Sequence, residues 1–383
     1  MFSIIYTVIT TSLLVLVSPV LVILSLRGKY RVSIPSRFFL WKNLSQKEID
    51  SYWFHGCSLG EINAMKPFIK EVAKKEKILI TTTTETGFKS SQNTNFSSQF
   101  LPFEPNLFFW TRKQKKLIVL EAELWFLLFF IAKIRGIKTV LLSGRVSERS
   151  FPKYLKAKWF YSKIFANIDT VFAQSEIDKK RFEKLGAKNI EVLGNIKLLK
   201  STSNLDLDIL KDKTIIVGAS THPEDEKYIL NAFLEYGKGR LIIVPRHKER
   251  FDEVWKLIQD FSKQNDFSYS KFSENEDFSS DIILIDKIGI LVDIYSKSDI
   301  AILGGGFYDG IGGHNPVEPA SFKNKIISGR YMFNQKELLK YISNIQIIEK
   351  EDIFQALKKS EHIEVSRITQ NIDFQKVIQK ILD

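Results

Sequence analysis

Residues 304–319 read GGGFYDGIGGHNPVEP and directly follow a short apolar run, Asp299–Leu303. Such a run, bounded by turn-forming residues, is typical of a buried strand in a parallel sheet. Six of the ten residues from 304 to 313 are glycine, which permits sharp turns and close backbone approach to a ligand. Backbone N–H groups at a following helix start would hold a phosphate, and Glu318 would accept from sugar hydroxyls. The alternative is a purely structural glycine-rich turn before a capped helix.

The spacing of these glycines disfavours two familiar nucleotide-binding motifs. The fifth residue after Gly304 is Asp309, so GxGxxG does not fit, and the chain contains no GxxxxGK[ST]. We therefore expect a nucleotide site that is neither an ordinary dinucleotide fingerprint nor a P-loop.

Length and composition indicate a two-domain globular protein with an anionic partner. The chain has 383 residues and 44% hydrophobic residues, and its 56 Lys and Arg exceed its 44 Asp and Glu by 12. Its one cysteine, Cys57, excludes an internal disulfide and a Cys-based zinc site, and its five histidines show no HExxH spacing. We expect no cofactor and no metal. We also expect no nucleic-acid partner, because no face with interleaved aromatic and basic residues is identifiable.

The N-terminal segment predicts attachment to a membrane. From Phe2 to Leu26 there are 25 uncharged residues, enough for a helix to cross about 30 Å of hydrocarbon. Basic residues follow at Arg27, Lys29, Arg31 and Arg37, which predicts that the rest of the chain is cytoplasmic. We assign residues 1–27 to an anchor helix that either spans the membrane or lies in it. A buried or interfacial hairpin is the alternative, because Pro19 interrupts the run.

The remaining chain alternates strand-length apolar runs with amphipathic stretches such as Lys153–Ala166 and Asp225–Tyr236, which indicates doubly wound parallel α/β sheets. The predicted strands are Tyr52–His55, Lys77–Thr82, Leu117–Glu121, Lys138–Ser143, Thr170–Gln174, Thr214–Gly218, Arg240–Val244, Asp281–Asp286, Asp299–Leu303 and Lys325–Ser328. A polar stretch at residues 200–213 is the predicted linker between Rossmann-like domains at 28–199 and 214–383. Two such domains imply a cleft in which ligands bind.

Candidate functional residues in the first half follow predicted strands. HGCSLGE, residues 55–61, places Glu61 at the start of a helix, where a partly buried carboxylate could take a proton from an attacking hydroxyl. The alternative is a carboxylate that serves only the helix dipole. Glu121 and Glu123 come at the end of another strand and could bind a cationic or sugar group. Lys197 precedes the linker and could reach a phosphate across the cleft, although a lone lysine there is also ordinary surface.

Two further clusters follow strands in the second half. GASTHPEDE, residues 218–226, contains Ser220 and Thr221, either of which would cap a helix with an acidic first turn. VPRH, residues 244–247, brings Arg246 to a strand end, where its guanidinium can fork onto a phosphate and His247 can add a donor.

Taken together, these clusters resemble the bacterial 3-deoxy-D-manno-octulosonic acid (Kdo) transferases of lipopolysaccharide assembly. The resemblance extends from the apolar N-terminus to about residue 330 and rests on seven motifs in the family's order, namely HGCSLGE, TTTTETG, EAELW, SGRVSERS, GASTHPEDE, VPRH and GGHNPVEP.

The resemblance implies a GT-B architecture with two Rossmann-like domains facing a cleft. It further implies a CMP-Kdo donor, a lipid A precursor (lipid IVA) acceptor, inversion at the anomeric carbon, no metal, and a place at the cytoplasmic side of the inner membrane on anionic lipid. By the same resemblance Glu61 matches the general base, while Glu121 and Lys197 match residues thought to stabilise the transition state. The residues that the resemblance assigns to donor-nucleotide binding are Ser220, Pro245, Arg246, His247, Ile288, Gly289, Ile290, Gly313, His314, Asn315, Pro316, Val317 and Glu318.

The chain departs from the family pattern at three places. Ile288-Gly289-Ile290 stands where Met-Gly-Glu is frequent, so a nucleotide contact there would use the backbone alone. Ala122 and Phe126 replace Thr and Pro.

The sequence leaves two alternatives to Kdo transfer open. One is a GT-B-like enzyme of another reaction, such as another sugar transferase or a nucleotide-sugar epimerase. The other is a non-catalytic membrane-bound module, which would tolerate loss of Glu61.

Overall fold

The computed structural model describes residues 1–38, 40–92, 95–209 and 211–383, and it divides the chain into two compact units. Unit 1 comprises Met1–Ile196 together with Ile372–Asp383, and unit 2 comprises Lys197–Asn371.

Unit 1 is built on a seven-stranded sheet in which every neighbouring pair is parallel, in the order β3-β2-β1-β4-β5-β6-β7. Its strands are β1 Tyr52–His55, β2 Ile78–Thr82, β3 Ser97–Phe100, β4 Lys116–Leu120, β5 Lys138–Gly144, β6 Thr170–Ala173 and β7 Ile190–Val192. Its helices up to this point are α1 Phe2–Ser25, α2 Ser33–Phe38, α3 Leu59–Val72, α4 Glu85–Gln92, α5 Leu107–Trp110, α6 Phe126–Ile134, α7 Phe151–Lys156, α8 Lys158–Phe165 and α9 Glu176–Leu185.

Unit 2 repeats this plan with a second seven-stranded parallel sheet in the order β10-β11-β9-β8-β12-β13-β15, and it adds a small antiparallel pair, β14 with β16. Its strands are β8 Ile215–Thr221, β9 Arg240–Pro245, β10 Tyr269–Lys271, β11 Ile282–Leu284, β12 Ile300–Leu303, β13 Lys325–Gly329, β14 Ile342–Ser343, β15 Ile345–Ile348 and β16 Arg367–Ile368. Its helices are α10 Asp225–Tyr236, α11 Phe251–Asn265, α12 Phe272–Asn275, α13 Leu291–Tyr295, α14 Val317–Ser321, α15 Lys336–Leu339 and α16 Ile353–Ser360.

Each sheet is buried on both faces by helices. Central strands such as β4 and β12 are completely buried, as their continuous apolar sequences require. The prediction of two parallel α/β domains is therefore confirmed, and all ten predicted strands are present with ends shifted by at most three residues. The amphipathic stretch Lys153–Ala166 forms two helices rather than one, because the chain leaves helical geometry at Ala157.

The C-terminal helix corrects the predicted domain boundary. Helix α17, Phe374–Leu382, was assigned to the second domain, 214–383, yet it belongs to unit 1. The ring of Phe374 packs 5.0 Å from that of Phe68 in α3, and Lys116 Nζ donates to the carbonyl oxygen of Ile381 at 2.7 Å. The predicted linker 200–213 lies in unit 2, apart from residue 210, which is outside the described residues.

Helix α1 has the length and composition of a membrane helix, with a mean hydropathy of 2.4 and none of its most apolar window buried. Its N-terminal turn packs on unit 1: the Phe2 and Tyr6 rings lie 5.0 and 4.9 Å from the Phe126 ring. The Tyr6 hydroxyl also donates to Glu104 Oε2 at 2.9 Å. The segment that follows α1 belongs to the same unit, where Arg37 Nε of α2 donates to the Leu101 carbonyl oxygen at 2.9 Å. The N-terminal turn of α1 and the segment that follows the helix therefore both contact the same unit.

Candidate active site

The segment after β1 positions Glu61 at the start of α3. Ser58 is the N-cap residue, and its Oγ accepts the Glu61 backbone N–H at 3.3 Å. The loop passes close to α3 at Gly56, where a Cβ would lie 2.8 Å from Cε of Met65 and 3.1 Å from Cβ of Glu61. The Glu61 side chain consequently turns back toward the loop that joins β1 to α3.

Both oxygens of the Glu61 carboxylate accept hydrogen bonds from this loop. Oε2 accepts the Cys57 N–H at 2.7 Å, and Oε1 accepts the Ser58 hydroxyl at 3.0 Å. Burial raises the pKa of Glu61; the nearby charges of Glu121 and Glu123 raise it further, while the Cys57 and Ser58 hydrogen bonds oppose the rise. The geometry is that of a capping interaction, and it also yields a carboxylate with increased proton affinity.

The TTTTETG motif supports the same loop. The hydroxyls of Thr82, Thr83 and Thr84 all donate to the Cys57 carbonyl oxygen, at 3.0, 3.4 and 2.8 Å. Gly87 allows this approach, since a Cβ there would lie 2.5 Å from Thr82 Oγ1. This motif thus fixes the backbone next to Glu61.

Glu121 follows β4 at the same edge of the sheet, because β1 and β4 are adjacent parallel strands. Its φ of 59° is left-handed, a conformation that costs a non-glycine residue about 1 kcal/mol or more and that often occurs at functional sites. Its N–H donates to the Leu142 carbonyl oxygen at 2.9 Å, which holds this turn against β5. Glu123 Oε2 accepts from Trp125 Nε1 at 2.6 Å.

Lys197 is half-buried in a single 3-10 turn, Ile196–Leu198, and is the first residue of unit 2. Lys197 was predicted to lie in the first domain, 28–199, and belongs instead to unit 2. Its role in the reaction stays a prediction.

In unit 2 the glycine-rich stretch packs mainly against the protein itself. A Cβ on Gly304 would lie 2.7 Å from Ser220 O and from Asp225 Oδ2, and one on Gly306 would lie 2.8 Å from Ser328 Oγ. Gly313, with a φ of 73°, would place a Cβ 1.9 Å from Met332 Sδ. Close packing therefore explains these three glycines, in agreement with the structural alternative.

Three histidines meet beside this stretch. His222 Nε2 lies 2.8 Å from His314 Nε2 with the rings stacked, and the His247 ring centroid is 5.5 Å from that of His222. Burial, and then the charges of His247, Arg250 and Arg246, lower the pKa of His222 to about 4. Burial, and then Arg246 and the other two histidines, lower the pKa of His314 to about 3. The basic side chains of this cluster disfavour protonation of one another, and a bound anion would relieve this repulsion. The cluster is therefore suited to an anionic ligand.

Asn315 directly precedes Pro316, the N-cap residue of α14, and Glu318 lies in the first turn of that helix. Asn315 Oδ1 accepts the Val317 N–H at 3.0 Å, and its Nδ2 donates to Glu318 Oε1 at 3.2 Å. Burial raises the pKa of Glu318, while Asn315 and the charge of Arg246 oppose the rise. Arg246 is therefore near both His314 and Glu318, and these predicted residues form one group.

The other predicted binding residues of unit 2 lie on the same sheet edge. Ser220, with a φ of 52°, occupies a register shift between β8 and β9, and Pro245 ends β9. After β11, Ile288 is exposed, Gly289 has a φ of 98° and Ile290 is buried. Strand β11 is the parallel neighbour of β9, so this segment emerges beside Arg246.

Sequence reasoning did not assign His222 to the binding residues, nor His55, Cys57 and Glu123 to one cluster. A histidine one residue after β8 was a usable signal for the first. The cluster of His55, Cys57 and Glu123 forms where the ends of two strands meet, and no regular spacing of these residues in the sequence indicates it.

A cavity of about 600 Å³ opens at the opposite, amino edge of the unit 1 sheet. Lys116, Lys138, Glu191 and Asp383 are among its lining residues, and no predicted site residue lines it. Its volume alone does not make it the active site, because open α/β sheets bind ligands at the carboxyl ends of their strands.

Two parallel α/β units, each with titratable clusters at the carboxyl edge of its sheet, place the protein in the GT-B fold class. Solved structures show the same fold: UDP-GlcNAc 2-epimerase from Neisseria meningitidis is 15% identical, with a TM-score of 0.52 over 86% of this chain and 99% of its own.

Sequence comparison identifies the family. The family described as 3-Deoxy-D-manno-octulosonic-acid transferase (kdotransferase) matches residues 32–200. The 3-deoxy-D-manno-octulosonic acid transferase of Haemophilus influenzae is 31% identical over 91% of this chain and 88% of its own. A bifunctional glycosyltransferase/methyltransferase of Fusobacterium nucleatum is 32% identical over 85% of this chain, which spans only 55% of that protein. The chain belongs to the Kdo transferase family and is a glycosyltransferase.

Proposed function

We propose that the protein transfers Kdo from CMP-Kdo to a hydroxyl of a lipid A precursor, lipid IVA, with inversion at the anomeric carbon. The observation that carries this proposal is the partly buried Glu61 carboxylate at the carboxyl edge of unit 1, with its raised pKa and its hydrogen-bonded support. Family membership supports the choice of sugar.

In the proposed reaction Glu61 takes the proton of the acceptor hydroxyl as its oxygen attacks the anomeric carbon. The bond to the CMP phosphate breaks in the same displacement, and CMP leaves with the bonding electron pair. A single displacement inverts the configuration. A raised pKa makes Glu61 a stronger base than an exposed glutamate, and the Cys57 and Ser58 hydrogen bonds orient it.

The donor is proposed to bind unit 2 at the group formed by Arg246, His222, His247, His314 and Glu318. The Arg246 guanidinium and the imidazoles would face the phosphate, and Glu318 would accept from ribose hydroxyls. The positive charge of Arg246 and the N–H groups of the imidazoles offset the negative charge of the leaving phosphate, so the transfer is proposed to need no metal and no cofactor. Glu121 and Lys197 are proposed to stabilise the transition state.

We further propose that the protein acts on the cytoplasmic side of the inner membrane, with α1 lying along anionic lipid rather than across it. A 24-residue helix is about 36 Å long, so a spanning α1 would put its two ends on opposite sides of the bilayer. The N-terminal turn of α1 packs on unit 1, and the segment that follows the helix belongs to the same unit, which supports an in-plane helix with its exposed Leu13, Leu16 and Val20 in lipid. Arg37 was expected to be one of the basic residues beside the membrane that follow α1. Its Nε instead donates to the Leu101 carbonyl oxygen.

The donor site is tested by binding of CMP to Arg246→Ala, measured by calorimetry. We expect affinity to fall about 10- to 100-fold, the loss of a charge-assisted phosphate contact of roughly 1.5–3 kcal/mol. Lys248→Ala is the matched control, because Lys248 is an exposed base two residues away, and it should bind as the parent does. Unchanged CMP affinity in Arg246→Ala, or a preference for UDP over CMP, would contradict the proposed donor site.

A further inference from the structure

Three side chains of the kinds that bind transition metals meet at the carboxyl edge of unit 1. His55, Cys57 and Glu123 each offer one ligand atom, and these atoms all lie within 4.8 Å of one another. Cys57 Sγ is 3.7 Å from His55 Nε2. The proposed transfer reaction assigns no step to any of the three.

The fold, not the spacing in the sequence, creates this cluster. His55 is the last residue of β1 and Glu123 lies three residues beyond β4; the two strands are parallel neighbours, with His55 opposite Val119. A set at positions 55, 57 and 123 matches no familiar metal motif, and no metal was expected from a single cysteine and histidines without HExxH spacing.

The imidazole of His55 has its lone pair directed into the cluster. Its Nδ1 lies 3.2 Å from the Thr81 carbonyl oxygen and 2.9 Å from Thr81 Oγ1. A carbonyl oxygen can only accept, so the contact with the Thr81 carbonyl favours the tautomer with the proton on Nδ1 and the lone pair of Nε2 toward Cys57. Metal-binding histidines have this arrangement, with the second ring nitrogen donating to a carbonyl.

The other two ligands are also held in place. Trp125 Nε1 donates to Glu123 Oε2 and orients this carboxylate, while three threonine hydroxyls fix the backbone carbonyl of Cys57. The supporting groups are therefore already assembled around the cluster, as expected of a preorganised ion site.

We propose that His55, Cys57 and Glu123 form a binding site for Zn²⁺ or a similar borderline-soft divalent cation. The ligand set of one nitrogen, one sulfur and one oxygen suits such an ion and does not suit Mg²⁺, which prefers oxygen ligands. Three protein ligands leave a fourth position for water. On binding, the ion replaces the Cys57 thiol proton, which passes to solvent, and a metal–thiolate bond forms.

The test is a titration of chelator-treated, full-length protein with Co²⁺, followed by absorption spectroscopy. Because Cys57 is the only cysteine in the chain, a thiolate-to-cobalt charge-transfer band in the near ultraviolet identifies it as a ligand. We expect this band together with strong visible bands of tetrahedral cobalt, saturating at one ion per chain and removed by Zn²⁺.

Variants separate the ligands from their neighbours. Cys57→Ser should abolish the charge-transfer band, and Glu123→Gln should weaken Co²⁺ binding about tenfold or more. Glu121→Gln is the matched control, because Glu121 follows the same strand without belonging to the cluster, and it should bind Co²⁺ like the parent. Thermal unfolding of each variant checks that it is folded.

Absence of the charge-transfer band in the parent, or a band that Glu123→Gln leaves unchanged, would overturn the proposal. The titration contains no CMP-Kdo and no acceptor, so its failure is distinguishable from failure of the proposed transfer reaction.

Discussion

At the scale of single residues, Glu61 has two roles that need to be separated. It completes the cap of α3 through Cys57 and Ser58, and it is the proposed base. Removing the cap costs about 1 kcal/mol of stability, whereas removing a catalytic base slows the chemical step without weakening donor binding.

We predict that Glu61→Gln slows Kdo transfer by about 10²- to 10⁴-fold while CMP affinity stays unchanged. Glutamine keeps an oxygen that can accept from Cys57, so the helix cap is largely preserved. Glu176→Gln serves as the control, since Glu176 lies in the first turn of α9 and is exposed. Rates are measured by mass spectrometry of the lipid product. Parent-like turnover in Glu61→Gln would remove Glu61 as the base.

The histidine pair of unit 2 predicts proton uptake when CMP binds. His222 and His314 have pKa values of about 4 and about 3 in the free protein, and a bound phosphate would raise both. At a pH just above the pKa values of the free protein, the complex with CMP therefore holds more protons than the free protein does. Binding therefore takes up protons, and affinity falls as the pH rises through the raised pKa values.

Calorimetry of CMP binding near pH 5, in buffers with different ionisation enthalpies, measures this uptake. His222→Asn should reduce it, and His362→Asn, an exposed histidine elsewhere in unit 2, should not. Binding without any proton uptake would show that the phosphate does not contact these rings.

At the scale of elements, the sequence predicted best those strands that are buried on both faces. Strands β1, β4 and β12 are continuous apolar runs, so their pattern identifies them. Strand β3 (Ser97–Phe100) and strand β10 (Tyr269–Lys271) were missed because they are sheet edges with polar sequences. The pattern of α7 and α8 indicated a helix, but nothing in it indicated the break at Ala157.

Helix α1 gives an element-scale prediction. Leu16→Lys should weaken sedimentation of the protein with anionic lipid vesicles, because Leu16 is 75% exposed and would carry a charge into lipid. Ile177→Lys, at an exposed apolar residue of α9, is the control and should sediment as the parent does.

The orientation of α1 is tested separately by adding protease to spheroplasts whose protein carries an N-terminal tag. An in-plane helix keeps the tag inside and protected, whereas cleavage of the tag would show that α1 spans the membrane.

At the scale of the whole molecule, the sequence predicted two Rossmann-like units but not the membership of the C-terminal helix. The amphipathic pattern of α17 identifies an inward face with Val377 and Ile381, yet nothing local shows that this face packs on unit 1. The same limit applies to the candidate sites, whose individual residues could be predicted from the sequence but whose contacts with one another could not. Arg246 and Glu318 were found because they follow strands, and His314 was found through the family resemblance. The pairing of His222 with His314 depends on contacts between residues 92 positions apart.

Kdo transfer is tested most directly by incubating the purified, chelator-treated protein with CMP-Kdo and tetra-acylated lipid A precursor in detergent. We predict a product whose mass has increased by one or more Kdo units, with stoichiometric release of CMP. An unchanged lipid in the presence of bound CMP-Kdo would contradict the proposed acceptor, and an unchanged lipid without CMP-Kdo binding would contradict the proposed function as a whole.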